Sequence, residues 1–257
     1  MNARAADFAP PLLFGLAVLA VWEVGVKLLG VPAIILPAPS AIGLRFVSSM
    51  PTLAADFLQT IRGVLAGYAI GSGAGLLVAI LIDRSPFLQR GLLPLGNFVS
   101  ALPIVGVAPI MVMWFGFDWP SKAAVVVVMT FFPMLVNATV GLAGAGPMER
   151  DLMMTYAADY SQTLRMLRLP AAAPFVFNAL KINTTLAMIG AIVAEFFGTP
   201  TVGMGFRIST EVGHLSIDMV WATIVVAALT GSAFYGAVAL IERRVSFWHA
   251  SYRIREN

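Results

Sequence analysis

Few side chains in this sequence are placed to do covalent chemistry. There is no cysteine, which removes thiol nucleophiles, disulfides and thiolate metal ligands. The two histidines, His214 and His249, fall on opposite sides of the topology read below. No shared metal or acid–base site is therefore expected, and both read as interfacial residues. No Gly-x-x-x-x-Gly-Lys-Ser/Thr run occurs, so no catalytic site and no ATPase is expected in this chain. Gly203-Met204-Gly205 follows an apolar stretch of span length and reads as an outer turn, not as half of a dinucleotide fingerprint. What remains is non-covalent chemistry. Asn137, Asn183, Thr184 and Thr185 are uncharged polar groups inside apolar stretches, suited to brief hydrogen bonds with a passing solute or to bonds between helices. Glu195 closes one such stretch, where a carboxylate is costly to bury, and reads as a pathway residue acting as a gate or binding-protein contact, with a solvated end residue as the alternative.

The stretch with the most organised spacing runs from Glu149 to Ile182, ERDLMMTYAADYSQTLRMLRLPAAAPFVFNALKI. Tyr160, Leu164 and Leu167 recur at helical spacing, while Arg165 and Arg168 fall away from that row. Leu169-Pro170 and then Pro174 are expected to stop the helix and re-aim the chain. A short helix, a turn and a second short helix presenting apolar side chains would suit the grip of a soluble partner.

The elements that must carry these residues are membrane spans. The chain is 59% hydrophobic and only 11% charged, with a mean hydropathy of +0.88, far from a soluble composition. A net charge of +3 suggests no nucleic-acid partner, because the basic residues are scattered over loops and no soluble domain carries a basic face. The N-terminal apolar run has no small-residue cleavage site after it and reads as a retained anchor.

Taken in order, the first span covers about 11–29, with Glu23 and Lys27 four apart on one face. The prolines of VPAIILPAPSAIG forbid a continuous helix, and Ser40 is placed to cap a new one. Short helices interrupted at Pro51 follow along the outer surface. The second span lies between Arg62 and Asp83, where Gly63, Gly67, Gly71 and Gly75 repeat every fourth residue and form a bare packing stripe. The third, 91–117, is broken by Pro94, Pro103 and Pro109 and is expected to kink, ahead of an interfacial belt at Trp114 and Trp119. The fourth covers 123–148, the fifth 175–197 with Lys181 near its inner end, and the sixth 219–241. Arg4, Arg84, Arg90, Arg150, Arg165, Arg168, Lys181, Arg243, Arg244, Arg253 and Arg255 gather on one side; Arg45, Arg62, Lys122 and Arg207 fall on the other. That imbalance sets both termini in the cytoplasm. The expectation is an all-α, polytopic membrane protein of six transmembrane helices.

The loop resembles that of the inner-membrane permease subunits of binding-protein-dependent ABC importers. That family's loop reads Glu-Ala-Ala, three residues, Gly, nine residues, an aliphatic residue, one residue and Leu-Pro. Anchored on Leu169-Pro170, Leu167 takes the aliphatic position, Ala157 the glycine position and Asp151 the acidic start. A glycine would permit a positive φ that Ala tolerates poorly, so a tighter helix or a different bend is expected at Ala157. IILPAPSAI, WFGF, FFPMLVN and AEFFG are similar to the branch serving nitrate, sulfonates such as taurine, and pyrimidine or flavin precursors.

The resemblance implies a type-1 importer permease domain over 56–243 with a coupling loop at 149–170. Before it stand an N-terminal span and outer amphipathic segment, 1–55, and after it a cytoplasmic tail, 244–257. It implies a homodimer in a bacterial inner membrane, partnered by an ATP-binding subunit that carries the ATP and by an extracytoplasmic solute-binding protein. No cofactor is expected in this chain. Asp151, Ala157, Tyr160, Leu164, Arg165, Leu167, Arg168, Leu169 and Pro170 would then couple the ATPase to the spans. Tyr160, Leu164 and Leu167 would supply apolar contact and Arg165 and Arg168 would meet acidic residues, while Arg207 could meet the binding protein. The solute leans toward a pyrimidine-type or flavin-type vitamin precursor, with sulfonate close behind. The alternatives are an ion-coupled secondary transporter, which would want an internal repeat and paired intramembrane charges, and a membrane enzyme, which would want clustered catalytic residues.

Overall fold

The computed structural model of the chain describes residues 3–100, 102–198 and 201–246. His249 and the arginines beyond it lie outside those residues. Every regular element described is helical: α1 Ala3–Leu28, α2 Pro39–Ser48, α3 Met50–Asp83, α4 Pro86–Ser100, α5 Ile104–Phe115, α6 Trp119–Ala143, α7 Pro147–Thr155, α8 Tyr160–Thr163, a π-helical turn Leu164–Arg168, α9 Leu169–Phe197, α10 Met204–Gly213 and α11 Ile217–Val245.

Five stretches are long and apolar enough to cross a bilayer: Ala9–Leu28, Met50–Asp83, Trp119–Ala143, Tyr160–Phe197 and Ile217–Val245. The expected third span is not one kinked helix but two, α4 and α5, separated at Leu102-Pro103. Pro103 has no N–H to continue a helix and takes an extended ψ of 117° as the N-cap of α5. Twelve residues make α5, about 18 Å at 1.5 Å per residue, short of a full hydrocarbon crossing of about 30 Å.

Other prolines act differently from their sequence reading. Pro51 does not interrupt a pair of short helices; it stands in the first turn of α3, where its missing N–H has no intrahelical partner to lose. Pro170 does not stop the helix either. The chain from Tyr160 to Phe197 stays helical, because Leu169 N–H reaches back five residues to Leu164 O. This wider turn leads into Pro170, in the first turn of α9. Ser40 does not cap α2, whose N-cap is Ala38. Its N–H and hydroxyl donate instead to Glu23 at 2.9 and 2.7 Å, and Glu23 pairs with Lys27 at 2.5 Å.

α6 lies between α3 and α9 and forms the centre of the packing. The glycine stripe of α3 faces it. A Cβ on Gly67 would stand 2.5 Å from Val126 Cβ, and one on Gly75 would stand 2.5 Å from Phe131 O. In lipid no hydrophobic force draws two helices together, so such close backbone approach is what holds them. Toward the loop end, Met134, Leu135, Ala138 and Leu142 of α6 bury in one cluster with Ala79 and Ile82 of α3 and Ala172 and Ala179 of α9. α1 stands outside this core and joins it through α2 and the edge-on contact of Trp22 with Trp221, 5.0 Å between centroids.

Candidate coupling loop and intramembrane polar sites

The loop between α6 and α9 is built by two local devices. α7 ends in a left-handed residue, Ala157, at φ 52°. Ala157 N–H bonds Met154 O at 2.9 Å and Ala158 N–H bonds Met153 O at 3.0 Å, the paired closure of a Schellman motif. Neither the tighter helix nor the different bend expected for alanine occurs; the two closing bonds hold Ala157 in the conformation that glycine would take. Asp159 then opens α8 with a capping box. Its carboxylate accepts from Gln162 N at 2.7 Å and its own N–H donates to Gln162 Oε1 at 2.9 Å. The Asp-x-x-Gln spacing of 159–162 carried this signal in the sequence.

These turns sort the loop's side chains into two sets. Tyr160, Leu164, Leu167, Leu169 and Pro170 are partly buried, and Leu164 and Leu169 pack on the inner core with Ala172 and Leu142. Asp151, Ala157 and Arg165 are exposed, and so are the large apolar groups Leu152, Met154, Tyr156 and Met166. Of the apolar row expected to face a partner, Tyr160 and Leu164 are thus turned inward. The outward apolar surface comes from residues that the periodicity did not single out. Arg168 is also turned inward, paired with Asp83 at the end of α3.

At the end of the helices opposite the loop, buried charges converge. Asp56 is fully buried; it accepts from Gly203 N at 2.9 Å and from Arg207 Nε at 2.8 Å. Glu195 is not a solvated end residue but is 2% exposed. It accepts from the Thr60 hydroxyl at 2.8 Å and from Gly205 N at 2.7 Å. Thr60 in turn accepts from Met204 N at 2.9 Å. Lys122, expected outside, is 1% exposed; its ammonium donates to Phe117 O and Gly198 O and feels the charge of Glu195. Gly203 holds φ +146°, and a Cβ there would press on the Glu195 carboxyl, so glycine is needed at that crossing. The hydrogen bond from Arg207 to Asp56 raises the guanidinium's already high pKa. Arg207 is therefore spent within the chain. Together these groups pin α10 onto α3 and α9 by paired, hydrogen-bonded charges.

The polar span residues separate likewise. Asn183 is fully buried, its amide donating to Ser72 Oγ at 2.9 Å and Thr130 O at 2.8 Å. Thr184 bonds back to Lys181 O at 2.7 Å. Asn137 bonds Pro133 O at 2.8 Å and accepts from Asn178 at 3.3 Å. Asn178 and Thr185, with Lys181 and Tyr235, line an open groove between α9 and α11, and Lys181 pairs with Glu242 at 2.7 Å. Asp56, Thr60, Asp83 and Tyr235 were missed in the sequence; none stands in a spacing that marks a site. Among the described residues no group of three or more His, Cys, Asp or Glu is placed to hold a metal.

Five helices long and apolar enough to cross a bilayer, a loop presenting apolar residues beyond them and a groove with polar groups between two of the helices are the frame of a multi-pass membrane protein. Residues 71–247 match the family described as binding-protein-dependent transport system inner membrane component, and the chain belongs to that family. It is 30% identical to the formylaminopyrimidine transport permease protein of Halalkalibacterium halodurans, over 93% of this chain and 95% of that one. It is 29% identical to the riboflavin transport system permease protein of Chloroflexus aurantiacus, over 90% and 86%. It is 28% identical to a putative aliphatic sulfonates transport permease protein of Bacillus subtilis, over 94% and 88%. The fold matches the crystal structure of an amino acid ABC transporter with histidines at a TM-score of 0.60 and 16% identity, over 78% of this chain and 97% of that one. The chain is an ABC importer permease for small solutes.

Proposed function

We propose that this chain forms the path of an ATP-driven importer for a small organic solute of the pyrimidine-precursor or flavin type. A separate ATP-binding subunit drives it and an extracytoplasmic binding protein feeds it. The observation that carries the reading is the loop at 147–170. Its Schellman turn and capping box fix the backbone, and Leu152, Met154, Tyr156 and Met166 stand exposed outside the helical core. An apolar surface of this kind calls for a protein partner. The solute class leans on the formylaminopyrimidine and riboflavin transport relatives, with sulfonate next. The setting is a bacterial inner membrane, with both termini cytoplasmic and two copies of the chain forming the path.

The path is proposed along Asn137, Asn178, Lys181, Thr185 and Tyr235. Groups of this polarity do not face lipid and want a water-lined or protein-lined surface. Asn183, Thr184 and Glu195 serve it indirectly, by holding α3, α6, α9 and α10 in register.

The test is purification of the tagged chain in mild detergent from its own cells, with mass spectrometry of what accompanies it. An ATP-binding subunit is expected with the natural chain. Met154→Asp, which places a charge on the outward face without disturbing the core, should cut its recovery at least tenfold, the loss of about 1.4 kcal/mol or more of binding. Absence of any ATPase from the natural complex would move ion-driven transport to first place.

A further inference from the structure

α3 ends on a carboxylate. Asp83 is its last residue, with no basic residue in the final turn, and a negative charge there opposes the helix dipole and the free carbonyls. Its counter-charge comes from the loop. Arg168 pairs with Asp83, their side chains 17% and 13% exposed. The Tyr160 hydroxyl donates to Asp83 Oδ2 at 3.1 Å. Arg84, the next residue of the chain, lays its guanidinium 4.6 Å from the centroid of the Tyr160 ring. Both ends of the segment from α8 to α9 are therefore fastened to one carboxylate.

The π-helical turn makes this possible. Tyr160 and Arg168 are eight residues apart, which in an unbroken α-helix at about 100° per residue would leave them about 80° apart around the axis. The wider turn over Leu164–Arg168 adds less rotation per residue and returns Arg168 to the side of Tyr160. A straight α-helix here would direct one of the two away from α3.

We propose that Asp83 is the joint through which the coupling loop moves α3, so that nucleotide-driven displacement of the loop reaches α3 as well as α6 and α9, the two helices that it joins. The proposal rests on the coupling reading above. α3 carries the glycine stripe against α6 and, at its far end, Asp56 and Thr60. A shift entering at Asp83 therefore arrives at the outer α10 lock through one rigid helix. Asp83, Arg168 and Tyr160 are positioning residues, with no part in touching solute.

The chain's lack of cysteine permits a direct test. Spin labels at Leu81→Cys and Ser161→Cys, both exposed and neither on the outward apolar face, report the distance between α3 and the loop by pulsed electron paramagnetic resonance. Measurement is made in the copurified complex, with labelled chains diluted by unlabelled ones, nucleotide-free and trapped with ATP and vanadate. With Asp83 intact, one narrow distance is expected in both states, because loop and α3 travel together. Asp83→Asn should split or displace the trapped distance while the ATPase still copurifies. Asp83→Glu should keep it, and Asp83→Arg combined with Arg168→Asp should restore it, a rescue that a general loss of stability would not show. A distance that already changes with Asp83 intact, that ignores Asp83→Asn, or that the exchanged pair fails to restore in a monodisperse complex overturns the joint. If no ATPase accompanies the natural chain, the coupling reading itself fails, and that is read separately from the protein composition of the complex.

Discussion

Single residues here carry costs that their neighbours offset, and two of them make sharp predictions. Ala157 holds φ 52°, a conformation that costs an L-residue with a Cβ roughly 1–2 kcal/mol and glycine almost nothing. Ala157→Gly should therefore stabilise the loop by about 1 kcal/mol, and Ala157→Val should destabilise it by at least as much; thermal unfolding in detergent would register both. Asp56 is fully buried against Arg207, whereas Asp218 meets Arg45 at 3.6 Å with the two side chains 38% and 40% exposed. Removing one partner of a buried pair costs about 3–5 kcal/mol, while an exposed pair is worth about 0–1. Asp56→Ala should then lower the midpoint steeply and expose α10 to proteolysis, and Asp218→Ala should change both far less. Equal effects would contradict the burial pattern. The side chains alone did not reveal this difference, because both are aspartates near arginines in space but far from them in sequence.

At the scale of helices, the four-residue glycine period of α3 was legible because a bare stripe has one physical use in a membrane, close approach. Its partner was not legible, since nothing in α6 advertises the complementary face. The consequence is positional. Gly67 lies against Val126 while Gly73, on the same helix, has nothing within 4 Å of an added Cβ. Gly67→Leu should push α3 from α6 and cost about 1–3 kcal/mol or more by overpacking. Gly73→Ala should be neutral or slightly stabilising, as a glycine leaves a helix interior. Melting of the two variants side by side checks the register. Prolines were legible as breakers but not as to outcome. Pro103 separates α4 from α5, whereas Pro51 and Pro170 sit in first turns where their missing N–H is harmless. Which of these a proline does depends on whether the preceding residues can close the backbone around it, as Leu169 does by reaching Leu164.

For the molecule as a whole, hydropathy was enough to reach an all-helical membrane protein, because the chain's exchange with lipid and water is recorded directly in its sequence; the importer permease came from the resemblance of the loop at 149–170 to that family. Sequence also located the polar residues within the apolar stretches and the loop between two of them. Only the tertiary structure decided which way they face. Leu164 and Arg168 turn inward while Met154 and Tyr156 turn out; Asn183 is sealed between α3 and α6 while Asn178 and Thr185 line a groove. It alone brought Asp56, Thr60, Lys122 and Glu195 together from three helices, and Asp83 to the loop that follows α6. Facing depends on a rotation about each helix axis set by a single π-helical turn or a backbone contact, and a burial cost becomes tolerable only where a distant partner completes it. Both are long-range facts, and no local pattern encodes them.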